Sequence, residues 1–153
     1  MADRPLSERE REILSFLLEA PAIPDGDVLR RQAAVAVSSG SDCPCGCASI
    51  GLVVDPSVAP QARLDLPGNL VEASTVDVAG VHEREPLQFF GDDGRFGEAV
   101  PTDDDLVGGI GLILWVQGGW LSGIEIWGAG NFAHPRTFPP AELFEAPRVS
   151  ESR

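Results

Sequence analysis

The first apolar residues of the chain are spaced for a helix. They recur at intervals that place side chains on one helical face, and they are Ile13, Leu14, Leu17 and Leu18. Ser7 and Glu10 precede them as a capping box, in which each side chain accepts a hydrogen bond from the backbone N–H of the other residue. The pattern predicts a helix from about Glu8 to Glu19. Pro21 ends it, because proline cannot continue the hydrogen-bond ladder.

A second helix is predicted directly afterwards. Asp25 is placed to cap a helix that runs from Asp27 to Gln32, since aspartate is a favoured N-cap residue. After Ala33 the pattern changes. Val35 and Val37 alternate with alanines, which predicts that a strand begins here.

The middle of the chain consists of short β-prone runs separated by long loops. Ser49–Val54 is an apolar run closed by an Asp-Pro pair, and it predicts a strand. Ser57–Asn69 is rich in proline and predicts a loop, whereas Leu70–Val81 is strand-like with imperfect alternation. Pro86–Asp105 is rich in glycine and aspartate, so we expect an excursion over the surface.

The clearest β signal is a hairpin. Ile110–Gln117 and Trp120–Trp127 flank Gly118 and Gly119, and glycine supplies the positive φ that a two-residue hairpin turn needs. Strict alternation along the second strand predicts two faces. One face would hold Trp120, Ser122, Ile124 and Ile126, and the other Leu121, Gly123, Glu125 and Trp127.

The order of these elements defines the fold class. Helices come first and a run of strands follows, which predicts an α+β fold and not alternating βαβ units. We expect one or two N-terminal helices packed on a largely antiparallel sheet of about five strands. The length fits a single domain over residues 1–153, with residues 1–5 and about 146–153 frayed.

The charge of the chain restricts its partners. The net charge is −13 at pH 7, and all eleven basic residues are arginine. Nucleic acid and anionic membranes would repel such a chain, whereas a basic protein partner would be attracted. No apolar run approaches the length that spans a bilayer, and no apolar segment follows a basic start, so we expect a soluble cytoplasmic protein.

The three cysteines lie within five residues, at Cys43, Cys45 and Cys47. Thiolates favour zinc, but structural zinc sites usually combine two separated pairs, and no second pair exists here. The cysteines could also be redox-active thiols, although the Cys-x-x-Cys motif is absent. A third interpretation is structural, since Pro44 and Gly46 are turn residues and reduced cysteine packs as a small apolar residue.

Glu125 is the candidate for acid–base chemistry. It lies among large apolar residues of the second hairpin strand, where burial would favour the neutral form that a general acid needs. Alternatively, it lies on the solvent face of the strand or pairs with an arginine across the sheet. His134 is a second candidate acid or base, although no helix-spaced partner accompanies it.

Several short motifs resemble a group of small uncharacterised bacterial proteins. They are the start of the first helix at Leu6–Glu10, the stretch Cys45–Ile50, the hairpin strand Gly119–Ile126 and the closing Phe138–Pro140. Gly118 stands where the group has aspartate in the hairpin turn. The group has no assigned activity, so the resemblance implies a small α+β domain and assigns no catalytic residue.

Three functional hypotheses stay open. The preferred one is a non-catalytic binding module, in one version an immunity-type inhibitor that docks a basic toxin through electrostatic complementarity. The second is a small zinc-binding protein that uses Cys43, Cys45 and Cys47. The third is a hydrolase-like enzyme with Glu125 as acid or base.

Overall fold

The fold is α+β, as predicted. The computed structural model describes residues 3–42, 48–63, 69–74, 89–90, 96–97, 110–128 and 137–149. Its helices are α1 (Glu8–Leu17), α2 (Gly26–Val35) and a 3₁₀ turn (Ala141–Leu143). Its strands are β1 (Arg4–Pro5), β2 (Val37–Asp42), β3 (Ile50–Val53), β4 (Asn69–Ser74), β5 (Phe89–Phe90), β6 (Phe96–Gly97), β7 (Ile110–Gln117), β8 (Trp120–Gly128) and β9 (Arg148–Val149). No helix within these ranges is both long and apolar enough to cross a membrane.

The strands of the main sheet are all antiparallel to their neighbours. Their order is β1-β2-β3-β8-β7-β4-β9, and β5 pairs separately with β6. Five of the seven described strands in this sheet have four or more residues, in agreement with the predicted number. The two-residue strands β1 and β9 form its edges. Both fall within the chain ends for which the sequence predicts fraying.

Helix α1 confirms the predicted capping box. The backbone N–H of Glu10 donates to the Ser7 hydroxyl at 3.1 Å, and the Ser7 N–H donates to the Glu10 carboxylate at 2.8 Å. The Arg4 guanidinium donates to both Glu10 carboxylate oxygens at 2.8 Å. The hydrogen bond from Arg4 is the main reason why the pKa of Glu10 lies below its ordinary value. Glu10 therefore joins the edge strand β1 to the start of the helix.

Helix α2 is longer than the sequence predicts. It begins at Gly26 and continues to Val35, so the predicted start of a strand at Val35 is wrong, and β2 begins only at Val37. Asp25 occupies the N-cap position with a left-handed backbone (φ of 53°), and its side chain makes no capping hydrogen bond. Its carboxylate instead accepts the backbone N–H of Arg63 at 2.7 Å, which ties the loop after β3 to this helix.

The predicted hairpin is confirmed, and its turn has positive φ at Gly118 (56°) and Gly119 (83°). The predicted alternation along β8 is wrong before Gly123. Trp115 pairs with Gly123 and the next residue pairs with Leu121, so Ser122 is an extra residue in β8. Such a bulge moves every residue on one side of it to the opposite face of the sheet, compared with strict alternation. Leu121 consequently shares the core face with Ile124 and Ile126.

The core lies between the two helices and one face of the sheet, which we call the inner face. Leu112, Leu114 and Ile126 are fully buried on the inner face of β7 and β8. Ile13 and Leu17 of α1 and Leu29 of α2 belong to the same buried cluster. Burying one such side chain stabilises the fold by about 1.5–3 kcal/mol. The packing of the helices on the inner face is therefore a major source of stability in the described chain.

One polar side chain is fully enclosed in this layer. Gln32 of α2 is 0% exposed. Its amide group donates to the carbonyl oxygens of Pro60 and Gly119, both at 2.9 Å, and its carbonyl oxygen accepts the Leu121 N–H at 2.9 Å. A buried amide needs such partners, because an unpaired polar group in the core is destabilising. Gln32 thus joins α2 to the hairpin turn and to the loop after β3.

Candidate functional site

The side of the sheet opposite the helices has a different character, and we call it the outer face. The register of β7 with β8 and the bulge at Ser122 define its residues. They are Gly111, Ile113, Trp115 and Gln117 on β7, and Trp120, Gly123, Glu125 and Trp127 on β8. Ile113, Trp115, Glu125 and Trp127 are half-buried. On β7 and β8 the outer face therefore presents aromatic rings and one carboxylate, and the register places Glu72 of β4 opposite Ile113 on the same face.

Glu125 lies at the centre of this set. It pairs directly with Ile113, so no arginine lies opposite it on β7. Trp127 is two residues further along β8, and Trp115 is its diagonal neighbour on β7, a separation that long and aromatic side chains can span. No hydrogen bond or ion pair joins the Glu125 carboxylate to another described residue. The hypothesis that Glu125 is a general acid or base stays a prediction.

Each large tryptophan of this site is paired with a glycine on the neighbouring strand. Trp127 pairs with Gly111, and its indole ring occupies the space where a Cβ on Gly111 would be. Trp115 pairs with Gly123, where a Cβ would come within 2.9 Å of the carbonyl oxygen of Ile50. Gly111 therefore leaves room for the Trp127 ring to lie against the backbone, whereas the space at Gly123 is limited by the backbone of β3. Sequence alternation could not find the pairing of Trp115 with Gly123, since it depends on the bulge.

The negative charge of the chain is unevenly distributed along the sequence. Residues 64–109 contain eleven acidic residues and two arginines, a net charge of −9 in 46 residues. The other 107 residues contain thirteen acidic residues and nine arginines, a net charge of only −4. We call residues 64–109 the acidic segment. It includes β4, β5 and β6 and leads directly into the outer-face strand β7. Treating charge as one number for the whole chain misses this concentration.

The helical layer carries a shallow groove between α1 and α2. Its volume is about 390 Å³, and its floor is formed by Leu14, Leu18 and Ala33. Arg30 at its rim is already engaged, since it donates to the Leu18 carbonyl at 3.0 Å and to the Asp27 carboxylate at 3.1 Å. The two leucines are each 2% exposed, so the groove offers little apolar surface to a ligand.

The predicted metal ligands Cys43, Cys45 and Cys47 lie outside the described residues, as does His134. The flanking strands are described. Asp42 at the end of β2 pairs with Ile50 at the start of β3, so the cysteines belong to a short connection between paired strands. Elsewhere in the described ranges, no group of three or more His, Cys, Asp or Glu residues is placed to hold a metal ion.

Comparison with known proteins gives no relative for this chain. No family model, no curated protein and no solved structure matches it. The resemblance to small uncharacterised bacterial proteins stays a prediction. Function is therefore argued from the geometry of the outer face and from the distribution of charge.

Proposed function

We propose that this protein is a non-catalytic binding module that docks a basic protein, in the manner of an immunity-type inhibitor of a basic toxin. The observation that carries the proposal is the acidic segment, which holds −9 of the net charge of −13. The rest of the chain provides a well-packed α+β scaffold for it.

Concentrated charge of one sign favours a partner of the opposite sign. A segment of this charge raises the rate of encounter with a basic surface and repels acidic surfaces and nucleic acid. The attraction acts mainly on the association rate and weakens with salt. The other 107 residues carry a net charge of only −4. The attraction is therefore expected to act mainly through the acidic segment.

The test compares two variants of equal charge. One replaces Asp103, Asp104 and Asp105 by Asn within the acidic segment. The other replaces Glu8, Glu19 and Glu145 by Gln, all exposed on the scaffold. Each variant moves the net charge from −13 to −10. Immobilised wild-type and variant proteins are used to capture proteins from the native lysate, which are quantified by mass spectrometry at low and at physiological salt.

The expected result is that the wild type and the scaffold variant retain the same basic protein and that the acidic-segment variant retains markedly less. The captured protein is then purified and its affinity measured by calorimetry with all three forms. Retention of no basic protein at either salt concentration would contradict the proposal. Equal loss with both variants would also contradict it, because attraction would then follow total charge and not the acidic segment.

A second candidate function is zinc binding by Cys43, Cys45 and Cys47. The concentration of all three cysteines of the chain within five residues favours it, because thiolates are preferred zinc ligands. Native mass spectrometry of protein purified with reductant and without chelator tests it. One added metal ion, lost when all three cysteines are replaced by serine, is the supporting result, whereas a metal-free mass at saturating zinc is the contrary one.

A further inference from the structure

We propose that Glu125, together with Trp115 and Trp127, forms a site on the outer face that binds one arginine side chain of the basic partner. The inference rests on the proposed function and adds to it the residues that anchor the partner. The acidic segment attracts the partner, and this site holds it.

The first argument is the electrostatic state of Glu125. The carboxylate is half-buried on the outer face, and no described cation pairs with it. It is the one charged side chain on the outer face of the described strands β3, β7 and β8. A partly desolvated carboxylate interacts more strongly with a cation than an exposed one does, because the surrounding water screens it less.

The second argument is the aromatic surroundings. Trp127 follows Glu125 on the same face of β8, and Trp115 is its diagonal neighbour on β7. Tryptophan is the aromatic residue that attracts cations best through its ring face. Gly123, which pairs with Trp115 and precedes Glu125 by two residues on the same face, has no side chain, so no side chain of β8 separates the carboxylate from Trp115. A planar cation that binds the carboxylate is therefore within reach of the neighbouring indole rings.

The third argument selects arginine over lysine. The guanidinium group is planar, stacks on aromatic rings and donates two parallel hydrogen bonds to one carboxylate. An ammonium group is a strongly hydrated point charge that does neither. Buried aromatic and arginine anchors are also the residues that contribute most to binding energy at protein interfaces. The combination of one carboxylate with two indole rings therefore fits an arginine anchor.

The test uses capped hexaarginine and hexalysine peptides as probes of the complete protein. Binding is measured by calorimetry at low and at physiological salt, and the indole N–H signals of Trp115, Trp120 and Trp127 are followed by NMR. The site variants are Glu125→Gln, which is isosteric, and Trp115→Leu. The control is Glu19→Gln, which removes one exposed charge from the helical side. Far-UV circular dichroism and thermal unfolding verify that each variant folds.

The expected result is that hexaarginine binds more tightly than hexalysine and shifts the Trp115 and Trp127 signals more than that of Trp120. Glu125→Gln should weaken hexaarginine binding about 10-fold, since a charge-assisted hydrogen-bonded pair is lost. Trp115→Leu should weaken it about 3-fold. The control should change it less than about 2-fold, as expected for a remote exposed charge.

The outcomes separate this inference from the proposed function. If hexaarginine binds and both site variants bind it as tightly as the wild type, the outer-face site is overturned while attraction by the acidic segment stands. If neither peptide binds at low salt, the proposed function itself fails. Equal affinity for the two peptides, with Glu125→Gln no weaker than Glu19→Gln, would also overturn the site, because simple charge attraction would then explain all binding.

Discussion

The inner and outer faces of the sheet are built from the same strands but differ in how their side chains are packed and buried. On the inner face, aliphatic side chains such as Leu114 are fully buried under the helices. On the outer face, the Trp127 ring lies across Gly111 and the Glu125 carboxylate has no described partner. Closely packed side chains leave no room for a ligand, whereas half-buried aromatic and charged groups retain the capacity to bind one. The inner face therefore stabilises the protein, and the recognition site that we propose lies on the outer face.

The largest effect that tests this difference is a cavity on the inner face. Replacing Leu114 by Ala should lower the free energy of unfolding by about 3–4 kcal/mol, because the side chain is fully buried and the surrounding core cannot close completely. The half-buried neighbour Ile113 on the outer face is the matched control, and its replacement by Ala should cost about 1 kcal/mol. Urea unfolding measures both, and similar losses would show that the two faces do not differ in packing.

A smaller effect is expected from the buried amide of the inner layer. Gln32→Leu keeps most of the side-chain volume but removes the partner of the Pro60 carbonyl oxygen and of the Leu121 N–H, whereas the Gly119 carbonyl oxygen still accepts the Ala62 N–H. We expect a loss of about 2–3 kcal/mol in unfolding free energy, since each buried unpaired group is destabilising. Hydrogen exchange should show faster exchange at Leu121. Unchanged exchange there would mean that another group replaces Gln32.

The capping box should give a pH-dependent effect. Glu10→Gln removes charge-assisted hydrogen bonds from Arg4, which should cost about 1–2 kcal/mol at neutral pH. The pKa of Glu10 is lower in the folded protein than its ordinary value of 4.5. Its stabilisation is therefore complete above the ordinary value and is lost as the pH falls through the lowered pKa. Unfolding measured across this range should show the difference between variant and wild type shrinking as pH decreases; a constant difference would contradict it.

The smallest effect is expected in the hairpin turn that joins β7 to β8. Gly118 has φ of 56°, and nothing lies within 4 Å of the place where a Cβ would be. Asparagine tolerates this backbone conformation, so Gly118→Asn should change unfolding free energy by less than about 0.5 kcal/mol. Gly119→Asn should be clearly worse, because its Cβ would collide with the Ala62 carbonyl oxygen. Thermal unfolding compares the two, and equal stability would rule out the collision.

Local features of the fold could be predicted from the sequence, and nonlocal ones could not. The capping box of Ser7 with Glu10 and the Gly118–Gly119 turn depend on residues within a few positions of one another, and both predictions are confirmed. The extension of α2 to Val35 overrides a local preference of valine for strands. Asp25 fails as a cap because it binds a residue 38 positions away.

The candidate site shows the same limit. Glu125 could be placed on one face with Gly123 and Trp127 from the alternation of β8, but its diagonal neighbour Trp115 could not, because the extra residue at Ser122 shifts the pairing of the two strands. The concentration of charge in residues 64–109 is visible in the sequence once charge is counted by region. The predicted ligands Cys43, Cys45 and Cys47 have no tested role.

The bonds of Gln32 also have a consequence for the order of folding. They connect residues 87 and 89 positions apart, and the central strand pair β3 and β8 is comparably distant in sequence. During synthesis, α1 can pack against α2 and β4 early, but α2 emerges long before β8 and stays without this partner until β8 has been made. Long-range closure of this kind slows folding. Protection of the Leu121 amide would therefore mark the moment at which the first and last thirds of the chain become one cooperative unit.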